Sequence, residues 1–304
     1  MHSPQTVFLV RPDHFGFNAE TAQSNAFQKN DQSANAELAK EEFNTVIELL
    51  RREGIDHLVF PSREDVTTPD AVFPNNWISI LPDGTLILYP MMAVNRRLER
   101  NMAIVQELHQ KFPVQTIIDL SEAEQSGHFL EGTGSIVFDH THKIAYACIS
   151  PRTDEKLLNE LSKRIGYRAF AFEAIGPKSE QIYHTNVVMS VAENYAIVCL
   201  DAVPDTIQAQ MLKSSLELTG KSVIPISFAQ MNQFAGNMLE VRDKNGKAVL
   251  LMSSTAFHSL DTGQITEIEK HVRIAHIAIP TIETLGGGSL RCMLAGIQIP
   301  RKGE

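Results

Sequence analysis

Cysteine is scarce in this chain. Cys148, Cys199 and Cys292 are the three among 304 residues, odd in number and far apart. That pattern argues against a disulfide framework and against a CxxC zinc site, and it suits a reducing cytoplasm. Clusters of Lys and Arg are also lacking. With 27 basic against 36 acidic residues the net charge is −9, which argues against a nucleic-acid surface. No apolar run approaches the ~18 residues of a membrane span, so no membrane partner is expected. The apolar patch in MHSPQTVFLVRPD is too short for a signal peptide and has no cleavage-like end.

What is present is the composition of a soluble, enzyme-sized globular protein, 43% apolar and 21% charged. Thr6 to Val10 reads as a strand. Arg11 to Asn35 is polar and without period, and loops of that length are usually lids, binding segments or disordered. A helix with one apolar face (Ala39, Phe43, Val46, Ile47, Leu50) follows, then a strand from His57 to Phe60. From there one order of elements recurs. Hairpins are expected over Phe73–Pro90, Gly134–Ser150, Thr185–Leu200 and Asn237–Ser253, each followed by an amphipathic helix and a short strand. The two ends complete a fifth copy if the last strand, Cys292 to Ile299, pairs with the first. Similarity between copies is weak, and the repeat is one of element order. The expectation is an α/β fold of five hairpin–helix–strand units about a pseudo-fivefold axis. It is one domain over residues 1–304, and closing the ring through the termini leaves no free edge.

At or just before each hairpin stands a polar residue: Asp70, Glu131, His184, Asn237 and Cys292. In a five-unit ring such positions face the same end of the axis, so two carboxylates, an imidazole, an amide and a thiol converge on one pocket. Each also has a plain alternative. Asp70 follows Pro69 and suits a turn cap, Glu131 a solvated loop charge, and His184 a core histidine. Cys148 and Cys199 lie inside apolar strand runs and read as core thiols. Cys292 differs, because GGGSLR precedes it: glycines admit close approach to the backbone, and a nearby cation favours thiolate.

A thiolate can attack a carbon bonded to several electronegative atoms, such as guanidinium. Two carboxylates would hold its N–H groups in charge-assisted hydrogen bonds. His184 would protonate the leaving nitrogen and then deprotonate the water that clears the covalent intermediate. A metal site is the rival, but these residues lack the short spacings of common zinc motifs.

At this point the unit order, GGGSLRCM, PDAVF followed by NRR, and FGFNAETAQSNAFQ with PDAVFPNNW resemble the pentein superfamily of guanidine-modifying enzymes. The resemblance points most to a bacterial amidinotransferase-like or citrulline-utilisation hydrolase branch, near dimethylarginine dimethylaminohydrolases and arginine deiminases. It covers nearly the whole chain. It implies a five-bladed α/β propeller, with Cys292 as nucleophile, His184 as general acid/base, and Asp70 and Glu131 as amidine-binding carboxylates. Arg96 and Arg152 are implied as contacts to the α-carboxylate of a small amino-acid substrate, with no metal or organic cofactor. Where dimethylarginine hydrolases carry Glu-Asp after PDxVF, this chain has Asn75-Asn76. Loss of two negative charges disfavours a cation, and an amide can donate to a neutral ureido group. That is a hint of citrulline over arginine or methylarginine, beside the alternative that these residues only shape the turn. Amidinotransferase activity and a non-catalytic binding protein on the same scaffold stay open, as do homo-oligomerisation and ligand contact by Asn237.

Overall fold

The apolar runs on either side of each turn signal form antiparallel pairs, and each pair takes up a third strand in parallel after a helical crossover. The computed structural model describes residues 3–31 and 35–303; residues 32–34 of the expected Arg11–Asn35 loop lie outside them. The hairpin of β3 (Ile78–Ile80) and β4 (Thr85–Leu88) shows why. Gly84 adopts φ +82° in its turn, and a Cβ there would stand 2.9 Å from the Pro113 carbonyl oxygen. The Asp83 side chain accepts from the Thr85 amide. Helix Met102–Lys111 then crosses over, burying Ile104, Val105 and Leu108, and β5 (Thr116–Asp119) pairs in parallel with β4. A parallel partner requires such a crossover.

The same order repeats. β6 (Val137–Asp139) and β7 (Ile144–Cys148) are joined through helix Glu155–Ile165 to β8 (Arg168–Phe172). β9 (Met189–Val191) and β10 (Tyr195–Val198) are joined through helix Thr206–Leu218 to β11 (Ser222–Pro225). β12 (Leu239–Arg242) and β13 (Ala248–Ser253) are joined through helix Thr262–Glu269 to β14 (Arg273–Ile277). The chain ends supply the remaining set. β15 (Ala295–Ile297) is antiparallel to β1 (Thr6–Val10), and helix Ala36–Arg52 leads to β2 (Asp56–Phe60), parallel to β1. A single parallel pair, Ile297 with Ile80, joins this set to the next in one six-stranded sheet. The middle strand of each set is buried, apart from Ala248 at the start of β13, whereas the third strand is an outer, partly exposed edge.

Near the C-terminus two elements differ from the sequence reading. The segment Cys292–Ile299 is not one strand. Leu290–Met293 forms a single helical turn holding Cys292, and the strand begins at Ala295. Pro280–Gly286 is a helix, opened by Pro280 in its first turn, where a missing N–H costs nothing, and closed by Gly287 at φ +62°. The glycine run is thus a helix end rather than a free loop. Among the described residues no helix is long and apolar enough to cross a membrane.

Candidate active site

A single turn of helix precedes the first strand in four sets: Pro74–Asn76, Gly132–Ser135, Thr185–Val188 and Leu290–Met293. In the other, a turn closes from the Asn237 amide to the Phe234 carbonyl. One turn has no periodicity to read and little stability of its own; packing of neighbouring units holds it. Glu131 and His184 occupy the same position, the residue immediately before their turns. Asp70 lies earlier, ahead of Phe73, and Cys292 lies within its turn. The side chains therefore meet from three different positions, not from one equivalent position in each unit.

Asp70, His184 and Cys292 line one small cavity together with Asn76, Arg96 and Arg152. Glu131 does not line it. It is fully buried behind His184, where its Oε2 accepts from His184 Nε2 at 2.8 Å and lies 3.5 Å from Arg152 Nη1, while its Oε1 accepts from the Met92 amide. Burial raises the Glu131 pKa, but Arg152 and the His184 hydrogen bond outweigh it and hold the carboxyl at about 2. Burial pushes His184 down to about 4 against the pull of Glu131. At neutral pH the pair is carboxylate and neutral imidazole. A carboxylate only accepts, so the imidazole proton sits on Nε2 and Nδ1 keeps its lone pair.

Asp70 Oδ2 accepts from Asn18 and Thr21 and lies 3.8 Å from Arg96, whereas its buried Oδ1 has no partner among the described residues. Burial raises its pKa, opposed by Arg96. The donors of Arg96 go to both oxygens of Glu99, to Asn76 Oδ1 and to the Phe73 carbonyl. An Arg donates only, so the Asn76 atom facing it is oxygen, and Nδ2 is left as a buried donor with no partner among the described residues. Asn75 is fully buried outside the cavity wall, and its amide atoms likewise lack partners among the described residues. Asn237 reaches the sulfur rather than the cavity: its Nδ2 lies 3.3 Å from Cys292 Sγ. Asn186, which the sequence reading missed, places Nδ2 3.5 Å from the same sulfur. The Arg291 guanidinium bonds the Leu294 carbonyl and does not line the cavity. Cys148 and Cys199 are fully buried thiols whose pKa values burial pushes up to about 12 and about 11.

The N-terminal segment roofs the site. Asn18 caps helix Ala19–Ala22 and bonds Asp70, and Arg152 donates to the Thr21 carbonyl and to Ser24 Oγ. Asn25 and Gln28 donate to carbonyls of Leu285, Gly286 and Gly287. A Cβ on Gly287 would meet Asn25 Nδ2 at 2.6 Å, and one on Gly286 would meet the Phe73 ring at 2.6 Å. The glycine run thus lets roof and aromatic wall close on the site. The space left beneath the segment is about 20 Å³, room for one water. An amino acid enters only after this segment moves.

Two expectations follow from the His184 surroundings. A Cβ on Gly134 would lie 2.3 Å from Asn76 Nδ2 and 2.8 Å from His184 Nδ1. Gly134→Ala therefore displaces both groups and lowers kcat ~100-fold, the cost of about an ångström of misplacement, with a smaller change in Tm; unchanged kcat would contradict this. The second concerns pH. Glu131 and His184 both have folded pKa values below their ordinary 4.5 and 6.5. In each window the unfolded chain binds more protons. Stability is thus complete above 6.5 and falls with pH, first as His184 is driven toward about 4, then as Glu131 is driven toward about 2. Urea midpoints at pH 7 and pH 4.5 should differ more for the parent than for His184→Gln; equal differences would count against the assignment.

The sequence matches the family described as N,N dimethylarginine dimethylhydrolase, eukaryotic, over residues 11–299. No curated protein matches it. Among solved structures the chain is similar to ArgZ, an arginine dihydrolase from the ornithine-ammonia cycle in cyanobacteria, at 15% identity and TM-score 0.75, covering 97% of this chain. It spans 41% of full-length ArgZ and 98% of its N-terminal domain, solved with substrate. AgrE with L-arginine is similar at 16% identity and TM-score 0.77, covering 98% of this chain and 41% of AgrE. A dimethylarginine dimethylaminohydrolase carrying an S-methyl-L-thiocitrulline adduct is similar at 14% identity and TM-score 0.65, covering 97% of this chain and all of that one.

Proposed function

Because this chain belongs to the N,N-dimethylarginine dimethylhydrolase family, and with it to the pentein α/β fold, we propose that it hydrolyses a non-peptide C–N bond of a guanidino or ureido amino acid. The supporting observation is the single cavity shared by Asp70, His184 and Cys292, with Glu131 bonded to the far side of the imidazole. The five strand sets close as a five-bladed ring over the whole chain and carry these residues to one end of its axis.

In the proposed reaction His184 Nδ1 takes the thiol proton of Cys292, Sγ bonds to the central carbon, one C–N bond breaks, and His184 gives that proton to the leaving nitrogen. Water then bonds to that carbon, His184 takes a proton, and the C–S electron pair returns to sulfur. Asp70 Oδ1, buried and without a partner among the described residues, accepts from the terminal N–H group. Glu131 acts through His184. Arg152 takes the substrate carboxylate once the Thr21 carbonyl and Ser24 hydroxyl withdraw, and Arg96 acts by holding Asn76.

Citrulline is the favoured substrate. The spare N–H of Asn76 in the cavity wall suits a ureido oxygen, and a guanidinium has no acceptor to offer it. A product panel tests this: ornithine should form faster from citrulline than from arginine, and methylarginine should be slowest. Faster ornithine release from arginine would reject the preference. Amidino transfer to an added amine would place the chain with the transferases, and absence of turnover on all three substrates would favour a binding protein.

A further inference from the structure

The first strands of the five sets, β15, β3, β6, β9 and β12, surround a second cavity of about 60 Å³. A water needs roughly 10–15 Å³ of such space, so this one holds about four. Much of its wall is polar, including Thr133, His140, Ser190, Glu240 and Gln298. At Asn186 it comes within one side chain of the active sulfur: Asn186 lines this cavity, and its Nδ2 is the group 3.5 Å from Cys292 Sγ. Asn186 Oδ1 and Gln298 Oε1, both in this wall, are buried with no partner among the described residues. Buried carbonyl oxygens of that kind are where ordered water binds.

The reaction proposed above consumes a water after the covalent intermediate has formed. At that stage Arg152 has exchanged Thr21 and Ser24 for the substrate carboxylate, and the segment has settled back over the intermediate through Asn18 on Asp70 and Asn25 and Gln28 on the glycine run. Water entering from the roofed side would require the segment to open while the intermediate is exposed. We propose that the axial cavity supplies the hydrolytic water instead, passing it by Asn186 to the carbon on Cys292. Asn186 Oδ1 accepts from that water while Nδ2 stays on the sulfur. The water oxygen bonds to carbon, one proton goes to His184, and sulfur leaves with the C–S pair. The inference rests on the Cys292 hydrolase reading and adds to it a route and a positioning residue.

The test fills the cavity. Ser190→Leu puts a bulky apolar chain into its wall, Ser190→Ala leaves it open, and Gln298→Leu fills it from another wall. Each protein is mixed with citrulline, or with arginine if that is turned over faster, quenched in acid, and weighed to quantify the Cys292 adduct. Ser190→Leu should lower kcat ~10-fold and make the adduct the major species, with its formation rate unchanged; Ser190→Ala should match the parent. A purely structural defect would slow formation as well. Should Ser190→Leu fail to fold, Gln298→Leu carries the same expectation. Parent-like kcat and adduct level in the folded filled variants would overturn the proposal. No adduct in the parent or in any folded filled variant, although the parent turns over, would instead overturn the hydrolase reading, and the water route with it.

Discussion

Cys292→Ser lowers turnover ~10³-fold or more and abolishes the covalent adduct, while substrate affinity changes only a few-fold. The expectation rests on what surrounds the three thiols. Cys148 and Cys199 are fully buried, with pKa values pushed up to about 12 and about 11, so almost no thiolate exists there at neutral pH. Cys292 lines the cavity with His184 and receives the amides of Asn186 and Asn237. A haloacetamidine reagent should therefore label one thiol per chain and block all activity, and substrate should protect it. Calorimetry on Cys292→Ser separates lost chemistry from lost binding. Retention of a tenth of parental turnover would remove Cys292 from the reaction, as would full activity after its labelling.

Glu131→Gln is the second large effect, although Glu131 touches no part of the cavity. The side chain is nearly isosteric, so the argument is about protons. Glu131 Oε1 accepts from the Met92 amide, and Oε2 accepts from His184 Nε2. In the glutamine the carbonyl oxygen stays on the Met92 N–H, because only an acceptor can serve there. The NH₂ group then faces His184 Nε2 and forces that nitrogen to accept. The imidazole proton moves to Nδ1, the edge that must carry the lone pair. A wrong tautomer of this kind costs ~10⁴ in kcat in a serine-protease triad, and a loss of ~10³–10⁴ is expected here. The change also leaves the Arg152 cation buried without its nearest carboxylate, which costs about 3 kcal/mol of stability. Nitrogen NMR of the His184 ring reports the tautomer independently of activity. A kcat within tenfold of the parent, or an unchanged tautomer, would defeat this account.

Much of the fold was legible because its signals are local. Turn chemistry such as Pro82-Asp83-Gly84 fixes a hairpin within a few residues, and the apolar face of Ala36–Arg52 repeats often enough to be counted. The helix Pro280–Gly286 was missed because its glycine end reads as loop. The turn Leu290–Met293 was missed because four residues have no period, and the apolar tail beyond them reads as strand. Asn186 was overlooked for the same reason: its turn, Thr185–Val188, runs into an apolar strand, and nothing in TNVV marks an amide aimed at a sulfur.

The sequence by itself determined which residues were available for chemistry. It supplied one thiol outside the apolar runs, a histidine and two acids spaced at about the repeat length, and the amide pair Asn75-Asn76 after PDAVF. Those properties are written in residue type and spacing, which local physics can read. Only the tertiary structure decided how the groups divide their work. It set Glu131 behind His184 and outside the cavity, committed Arg96 to Asn76 and Glu99, and laid Asn18, Thr21 and Ser24 over Asp70 and Arg152. These are contacts between segments far apart in the chain. Their hydrogen-bond directions and pKa values depend on burial and on partners that no stretch of sequence contains.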